Sequence, residues 1–238
     1  MSTRTGVIVA ARMGSSRLPG KVLAPLCGKP LILFLLERLA AARSVDVIVL
    51  ATSQRAENDP LADAVAATGV PVFRGDEDDV VGRFVTAADH FEMDRVVRVT
   101  GDCPLVNGEA LDFVIDACDR APAFDLGTTK SLFPVGIDFE IYHQATMRRL
   151  HETADMTADD REHLTMHMVR QPENFRHLKI HPPTEWVWKG APFTVDTAED
   201  FDWVGKVAQA GGGSEASIAS IVEAAHAINR QNSDDSGR

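Results

Sequence analysis

The run Ala11-Arg-Met-Gly-Ser-Ser-Arg-Leu-Pro-Gly-Lys21 gathers three cations and two hydroxyls around two glycines. Arg12, Arg17 and Lys21 supply charge, Ser15 and Ser16 supply hydroxyls, and Ala11 and Gly14 let backbone N–H groups come close. Phosphates are bound by donors of these kinds. The spacing is neither GxxxxGK[ST] nor GxGxxG, so neither of those phosphate loops is present. A solvated basic connection is the competing reading of the same residues. Two carboxylates stand out next: Asp102 in Thr100-Gly-Asp-Cys-Pro104, and Asp196 at the end of Phe193-Thr-Val-Asp196. Each follows a strand-like run, so both can meet at one sheet edge although they are distant in sequence. Such a pair suits Mg²⁺, which takes few carboxylates and fills its remaining positions with water and phosphate oxygens. For each aspartate alone, a turn or helix cap is the rival.

The elements that must position these groups follow from hydrophobic period. Thr5 to Ala11 is a short apolar run and reads as a buried parallel strand, with the basic loop after it. Pro30 suits the first turn of a helix whose apolar face holds Leu31, Phe34, Leu35, Leu39 and Ala42. Strands are expected over 45–52, 70–74 and 95–100, with helices over 60–68, from Asp78 or Asp79 onward, and over 108–121. That alternation predicts an α/β fold: a Rossmann-like, mainly parallel sheet flanked by helices. From about residue 123 the rhythm changes to a meander and short helices near 144–153 and 160–170. We expect an inserted smaller α+β lobe over 123–190, with the core made of 1–122 and 191–231. Phe193–Asp196 reads as a strand, Thr197-Ala-Glu-Asp200 as a capping box, and 232–238 as a frayed tail.

Other polar residues are ambiguous by themselves. Thr52 and Ser53 end the second strand and can approach a base or ribose, or simply form a turn. Arg83 can face a ligand or pair on the surface with Glu77 or Asp79. Asp138 and Glu140 alternate on one strand and are expected on the same face, where they suit a polar pocket, a cation or a solvated edge. His163 is a candidate for sugar binding or proton handling, with a packed or solvated histidine as the alternative. Cys103 is assigned to packing.

Composition narrows the function classes. The 238 residues carry 35 Asp and Glu against 24 Lys and Arg, a net charge of −11, which argues against general nucleic-acid binding. Yet no acidic residue precedes Glu37, where the composition predicts about five, while Arg4, Arg12, Arg17, Lys21 and Lys29 all fall there. A local cationic site on an acidic chain points to a small polyanion such as a nucleotide. The three cysteines lack metal-site spacing and are expected as reduced thiols. No apolar run approaches the roughly 20 residues that cross a bilayer, and the N-terminus has no secretory layout, so a cytoplasmic protein is expected.

The 11–21 segment resembles the nucleotide-binding signature of cytidylyltransferases that activate acidic sugars. There an Ala-Arg, a Ser, then Arg-Leu-Pro and a Lys two residues later wrap the triphosphate of CTP. Matching blocks follow in order: Glu77-Asp-Asp-Val80 with Arg83, Thr100-Gly-Asp-Cys-Pro-Leu105, Gly136-Ile-Asp-Phe-Glu140, Arg161-Glu-His-Leu-Thr165 and Val195-Asp-Thr-Ala-Glu-Asp200. They span residues 5 to about 203 and look most similar to the spore coat polysaccharide biosynthesis protein F branch. The resemblance implies transfer of CMP from CTP to a sugar-acid hydroxyl, for surface polysaccharide or glycan synthesis. It implies catalytic roles for Arg12, Lys21, Asp102 and Asp196, with Mg²⁺ on both aspartates. It further implies nucleotide contacts from Ala11, Gly14, Ser15, Ser16, Arg17, Thr52, Ser53, Arg83 and Asp102. Asp138, Glu140 and His163 become candidate acceptor contacts, in a lobe expected to close over the site and to contribute to a homodimer.

Two departures stand beside the match. Thr100 occupies a place where enzymes of the Kdo type often carry Gln, and Thr128-Thr-Lys-Ser-Leu-Phe-Pro134 differs from the branch pattern. Alternatives are a nucleotidyltransferase acting on a sugar phosphate or phosphonate, a nucleotide-sugar glycosyltransferase, and a non-catalytic nucleotide-binding module. Retention of an acceptor phosphate, pyrophosphate release, and CTP binding without turnover separate them.

Overall fold

The computed structural model describes residues 3–152 and 156–236. Its first strand, β1 (Thr5–Ala10), has side chains buried on both sides, as a central parallel strand requires. In chain order there follow a two-residue hairpin, β2 (Pro25–Leu26) and β3 (Lys29–Pro30), then α1 (Leu31–Leu39), β4 (Val47–Ser53), α2 (Asp59–Ala66), β5 (Val72–Gly75) and α3 (Val80–His90). The chain continues through β6 (Arg95–Thr100), α4 (Gly108–Arg120), β7 (Leu126–Thr128), β8 (Glu140–His143), α5 (Gln144–His151), α6 (Ala158–Glu162) and α7 (Met166–Arg170). It ends with β9 (His177–Lys179), α8 (Ala198–Gly211) and α9 (Ile218–Ser236).

Seven strands form one sheet in the order β5-β4-β1-β6-β8-β7-β9. The first four are parallel, β8 runs antiparallel to both its neighbours, and β9 is parallel to β7. Strand alternation divides the apolar side chains between two layers. Val7, Val9, Leu50, Val97 and Val99 join one core, which also holds the buried residues of α1, α4, α8 and α9. Ile8, Val49, Ala51 and Val96 join the other, with residues of α3, α5 and α7. The architecture is therefore α/β, a mixed sheet between helical layers.

Several expectations need revision. The strands of 123–190, expected as a meander in an inserted lobe, include the antiparallel pair β7–β8, and with β9 they extend the central sheet because β8 pairs directly with β6. Phe193–Asp196 is not a strand. Its Phe193 N–H donates to Val135 O at 2.7 Å and its Val195 N–H to Asp102 O at 2.8 Å, so it joins two separate loops instead of a neighbouring strand. The helix expected over 160–170 is broken at His163–Thr165 into α6 and α7. Among the polar C-terminal residues expected to fray, the helix continues to Ser236, and 237–238 lie outside the described residues.

Candidate active site

The loop after β1 is shaped from within. Met13 O accepts from Ser15 N at 2.9 Å and from Gly20 N at 3.2 Å, which folds the basic segment back on itself. Gly20 closes that turn with φ +71°, a left-handed conformation that glycine takes without Cβ strain. From outside the loop, the fully buried Asn58 accepts from Met13 N at 2.8 Å and donates to Ser53 Oγ at 2.8 Å. Asn58 thereby ties the loop to the end of β4. This positioning role has no signal in the sequence, where Asn58 reads as an ordinary helix-start residue.

The two aspartates expected to meet do so. Lys21 Nζ lies 3.6 Å from Asp102 Oδ2 and 3.0 Å from Asp196 Oδ1, and it also donates to Val195 O at 2.6 Å. Lys21 is almost wholly buried, while both carboxylates remain about one-third exposed toward the cleft. Backbone geometry sets each of them. A Cβ on Gly101 would come within 2.6 Å of the Ala11 Cβ, so only glycine lets the end of β6 approach the basic loop this closely. On the other side, Asp200 caps α8 through Thr197 and also accepts from Asp196 N at 3.1 Å.

The remaining wall carries a second set of charges. Arg12 Nη1 pairs with Glu77 Oε1 at 2.9 Å, and Arg17 Nη2 with Asp196 Oδ1 at 2.9 Å. Burial would raise the Glu77 pKa, but hydrogen bonds from Ser53 and Arg12 and the nearby arginine charges hold it below the ordinary glutamate value. Arg83 is buried rather than on the surface, with Nη1 donating to Asp76 O. That burial lowers its guanidinium pKa, against the charge of Glu77. Cys103 is buried, 3.1 Å from Thr100 Oγ1; desolvation, then the Asp102 charge, push its thiol pKa far up, as expected of a packing residue.

These groups line one cleft of about 620 Å³ at the C-terminal ends of the parallel strands. Ala11, Arg12, Gly14, Ser15, Ser16, Arg17, Lys21, Ser53, Arg83, Asp102, His163 and Asp196 all face it. Three of the named residues do not. Thr52 is fully buried within β4, on the opposite side of the strand from Ser53. Asp138 precedes β8, is buried, accepts from Gly136 N and pairs with Lys130 at 3.0 Å. Glu140 is buried behind the cleft, where Arg98 and Thr165 hold it. Of the polar pocket, cation or solvated edge open to Asp138 and Glu140, the structure gives each carboxylate a cation of its own, Lys130 and Arg98. Glu77, Arg98, Thr100 and Glu162 line the cleft without having been singled out as contacts. For Arg98 a signal existed: it is the one charge within the otherwise apolar run Val96–Val99.

Asp102 and Asp196 offer the hard oxygen donors that Mg²⁺ takes, and an ammonium already lies against both. Among the described residues no third side chain completes an all-protein metal cage. The donor set therefore fits an ion that shares its coordination with phosphate oxygens and water.

A basic loop after the first parallel strand, facing two carboxylates carried by distant segments at the same sheet edge, is the layout of a nucleotidyltransferase. A family model described as cytidylyltransferase matches residues 6–210, and the chain belongs to that family. It is 31% identical over 212 residues to spore coat polysaccharide biosynthesis protein SpsF of Bacillus subtilis (strain 168), covering 86% of each chain. It is 36% identical over 134 residues to a 3-deoxy-manno-octulosonate cytidylyltransferase of Geobacter sulfurreducens, covering 56% of this chain and 52% of that one. Among solved structures, a cytidylyltransferase from Leptospira borgpetersenii superposes with a TM-score of 0.88 at 28% identity, covering 98% of this chain and 96% of the other.

Proposed function

We propose that this cytidylyltransferase moves CMP from CTP to a hydroxyl of a sugar acid and releases pyrophosphate. A role in surface polysaccharide or glycan synthesis follows from the likeness to SpsF. The observation that carries the reading is the placement of Lys21 between Asp102 and Asp196, with Arg12 and Arg17 opening on the same cleft.

In the reaction the acceptor oxygen bonds to the α-phosphorus of CTP while the bond from that phosphorus to the bridging oxygen of the β-phosphate breaks. The hydroxyl proton leaves to solvent or to a base. Such chemistry depends on alignment and on neutralising the charge that gathers on the leaving group. Arg12, Arg17 and Lys21 are placed to hold the leaving pyrophosphate, with Ser15 and Ser16 donating hydroxyls and Gly14 its backbone N–H. Ser53 and Arg83 lie on the wall assigned to the nucleoside. Asp102 and Asp196 would hold Mg²⁺, which neutralises phosphate charge and lowers the pKa of the attacking hydroxyl. His163, half-exposed at the cleft and 3.4 Å from Asp159, remains the acceptor-side candidate of the original three.

We place the enzyme in the cytoplasm and expect a homodimer. Support for the latter is the outer edge of β9, which among the described residues pairs with no strand and offers backbone groups to a second copy. Sedimentation reads the oligomeric state directly. The function is tested by a matrix of CTP, UTP, GTP and ATP against sugar acids and sugar phosphates, with pyrophosphate release as readout. CTP with a sugar acid is the expected productive pair. CTP binding without turnover of any acceptor would favour a non-catalytic module.

A further inference from the structure

Arg98 differs from the other cations of the cleft. Arg12, Arg17 and Lys21 pair with carboxylates that themselves line the cavity, whereas the partner of Arg98 lies behind it. Arg98 Nη1 donates to Glu140 Oε2 at 2.9 Å. Glu140 is buried, and the Thr165 hydroxyl donates to its carboxylate at 2.9 Å. Three elements, β6, β8 and α7 with its preceding loop, thus fix one end of the guanidinium. Among the described residues the other edge is unused: Nε is buried without a partner, and no bond reaches Nη2.

In a guanidinium the Nε–H and the neighbouring Nη2–H point the same way and accept a pair of oxygens side-on. An oxyanion seated on that edge satisfies the orphaned Nε, removing a buried unpaired donor. Arg98 is also on the strand that ends beside Asp102, two residues before Thr100, and His163 and Glu162 line the same cavity. The basic loop takes the phosphates and the Ser53–Arg83 wall takes the nucleoside on the reading above. The Arg98 wall is then left for the acceptor.

We infer that the free edge of Arg98 anchors the anionic group of the acceptor, a carboxylate on the proposed reading, and that Glu140 and Thr165 are positioning residues for that arginine. This inference rests on the proposed nucleotidyl transfer. It also gives Glu140 a different task from sugar contact: the carboxylate aims and compensates the anchor.

The test uses the full chain with CTP and three acceptor probes: 3-deoxy-manno-octulosonate, its neutral carboxamide, and glucose 1-phosphate. CTP affinity is followed separately by calorimetry, and folding by circular dichroism. The wild type is expected to prefer an anionic probe over the carboxamide. Arg98→Gln should raise the KM for the preferred anion by about tenfold to a hundredfold, the range for losing charged hydrogen bonds. It should leave CTP affinity and the carboxamide rate little changed, so the preference collapses. Arg98→Lys should restore part of it, and Glu140→Gln should weaken it without abolishing CTP binding. A merely structural arginine would depress all probes together, and that result overturns the anchor. Preference for the acid in Arg98→Gln equal to the wild type also overturns it. Preference for glucose 1-phosphate that depends on Arg98 would support the anchor while overturning the sugar-acid reading. Failure of the wild type to bind CTP would overturn nucleotidyl transfer itself.

Discussion

Asp102 and Asp196 share Lys21, so each carboxylate is partly neutralised before any substrate arrives. Replacing either by Asn keeps its shape and removes a charge that would be needed to hold a metal. Asp102→Asn and Asp196→Asn are each expected to lower turnover by about two to three orders of magnitude with the fold retained. Pyrophosphate release across a magnesium titration measures this, and near-normal activity at limiting magnesium in a folded variant would sink the metal assignment. Glu77 gives a pH prediction. Its folded pKa lies below the ordinary glutamate value because Ser53 and Arg12 overcome the effect of burial. A depressed carboxylate stabilises the fold fully above its unfolded pKa, about 4.3, and loses that contribution as pH falls through the lower folded value. Glu77→Gln should therefore flatten the acid limb of a stability curve below about pH 4 and lower stability at neutral pH, where the wild-type contribution is present in full. Thermal melts of both proteins between acid and neutral pH decide it. At this scale the basic loop was legible because many charges of one sign fell in one short run. Thr52 and Glu140 were misplaced because side-chain direction and buried pairing depend on neighbours that the sequence does not name.

The capping box of α8 links an element to the chemistry. Asp200 accepts from Thr197 N at 2.9 Å and from Asp196 N at 3.1 Å, so one carboxylate starts the helix and fixes the backbone of a cleft aspartate. Asp200→Ala should cost about 1 kcal/mol of stability, the usual effect of losing a cap, and should lower turnover as well. Asp200→Asn, which keeps an acceptor oxygen, should recover most of both. Denaturant unfolding and pyrophosphate release on the same samples separate the two effects; a loss of stability with unchanged activity would remove Asp200 from the site's support. The box was readable as Thr-x-x-Asp before an apolar helix. The neighbouring Phe193–Asp196 was misread, since β-rich composition reports extended backbone but not which loops receive its hydrogen bonds. The β2–β3 hairpin escaped for a related reason: its turn places Cys27 at φ +48°, with no Asn-Gly or Asp-Gly signal.

For the whole molecule, charge is distributed against its total. The chain is acidic overall, yet its cleft sets five cations, Arg12, Arg17, Lys21, Arg83 and Arg98, against five carboxylates, Glu77, Asp78, Asp102, Glu162 and Asp196. Attraction of a triphosphate must therefore be local, and salt will screen it where the side chains are exposed, as Arg12 and Arg17 are. Raising ionic strength from about 0.05 to 0.5 M should increase the KM for CTP more than that for the acceptor, since Arg98 is largely shielded. Steady-state kinetics at several salt concentrations check the order, and a larger rise for the acceptor would contradict it. The parallel half of the sheet was legible from alternating strands and helices, and the β7–β8 pair as a meander; the join of β8 to β6 was not, because nothing local in Glu140–His143 specifies β6 as its neighbour.

Phe193 and Val195 carry a consequence for timing. Their amides reach two separate loops, one at Val135 and the other at Asp102, and Gly136 packs so close that a Cβ there would lie 2.3 Å from the Phe193 carbonyl carbon. A short main-chain tie of this kind has no slack. A displacement of the loop at Val135 would reach Asp196 through main chain alone, without passing through any side chain. The two amides should then exchange hydrogen for deuterium at matched rates and slow together when nucleotide or acceptor binds, whichever comes first.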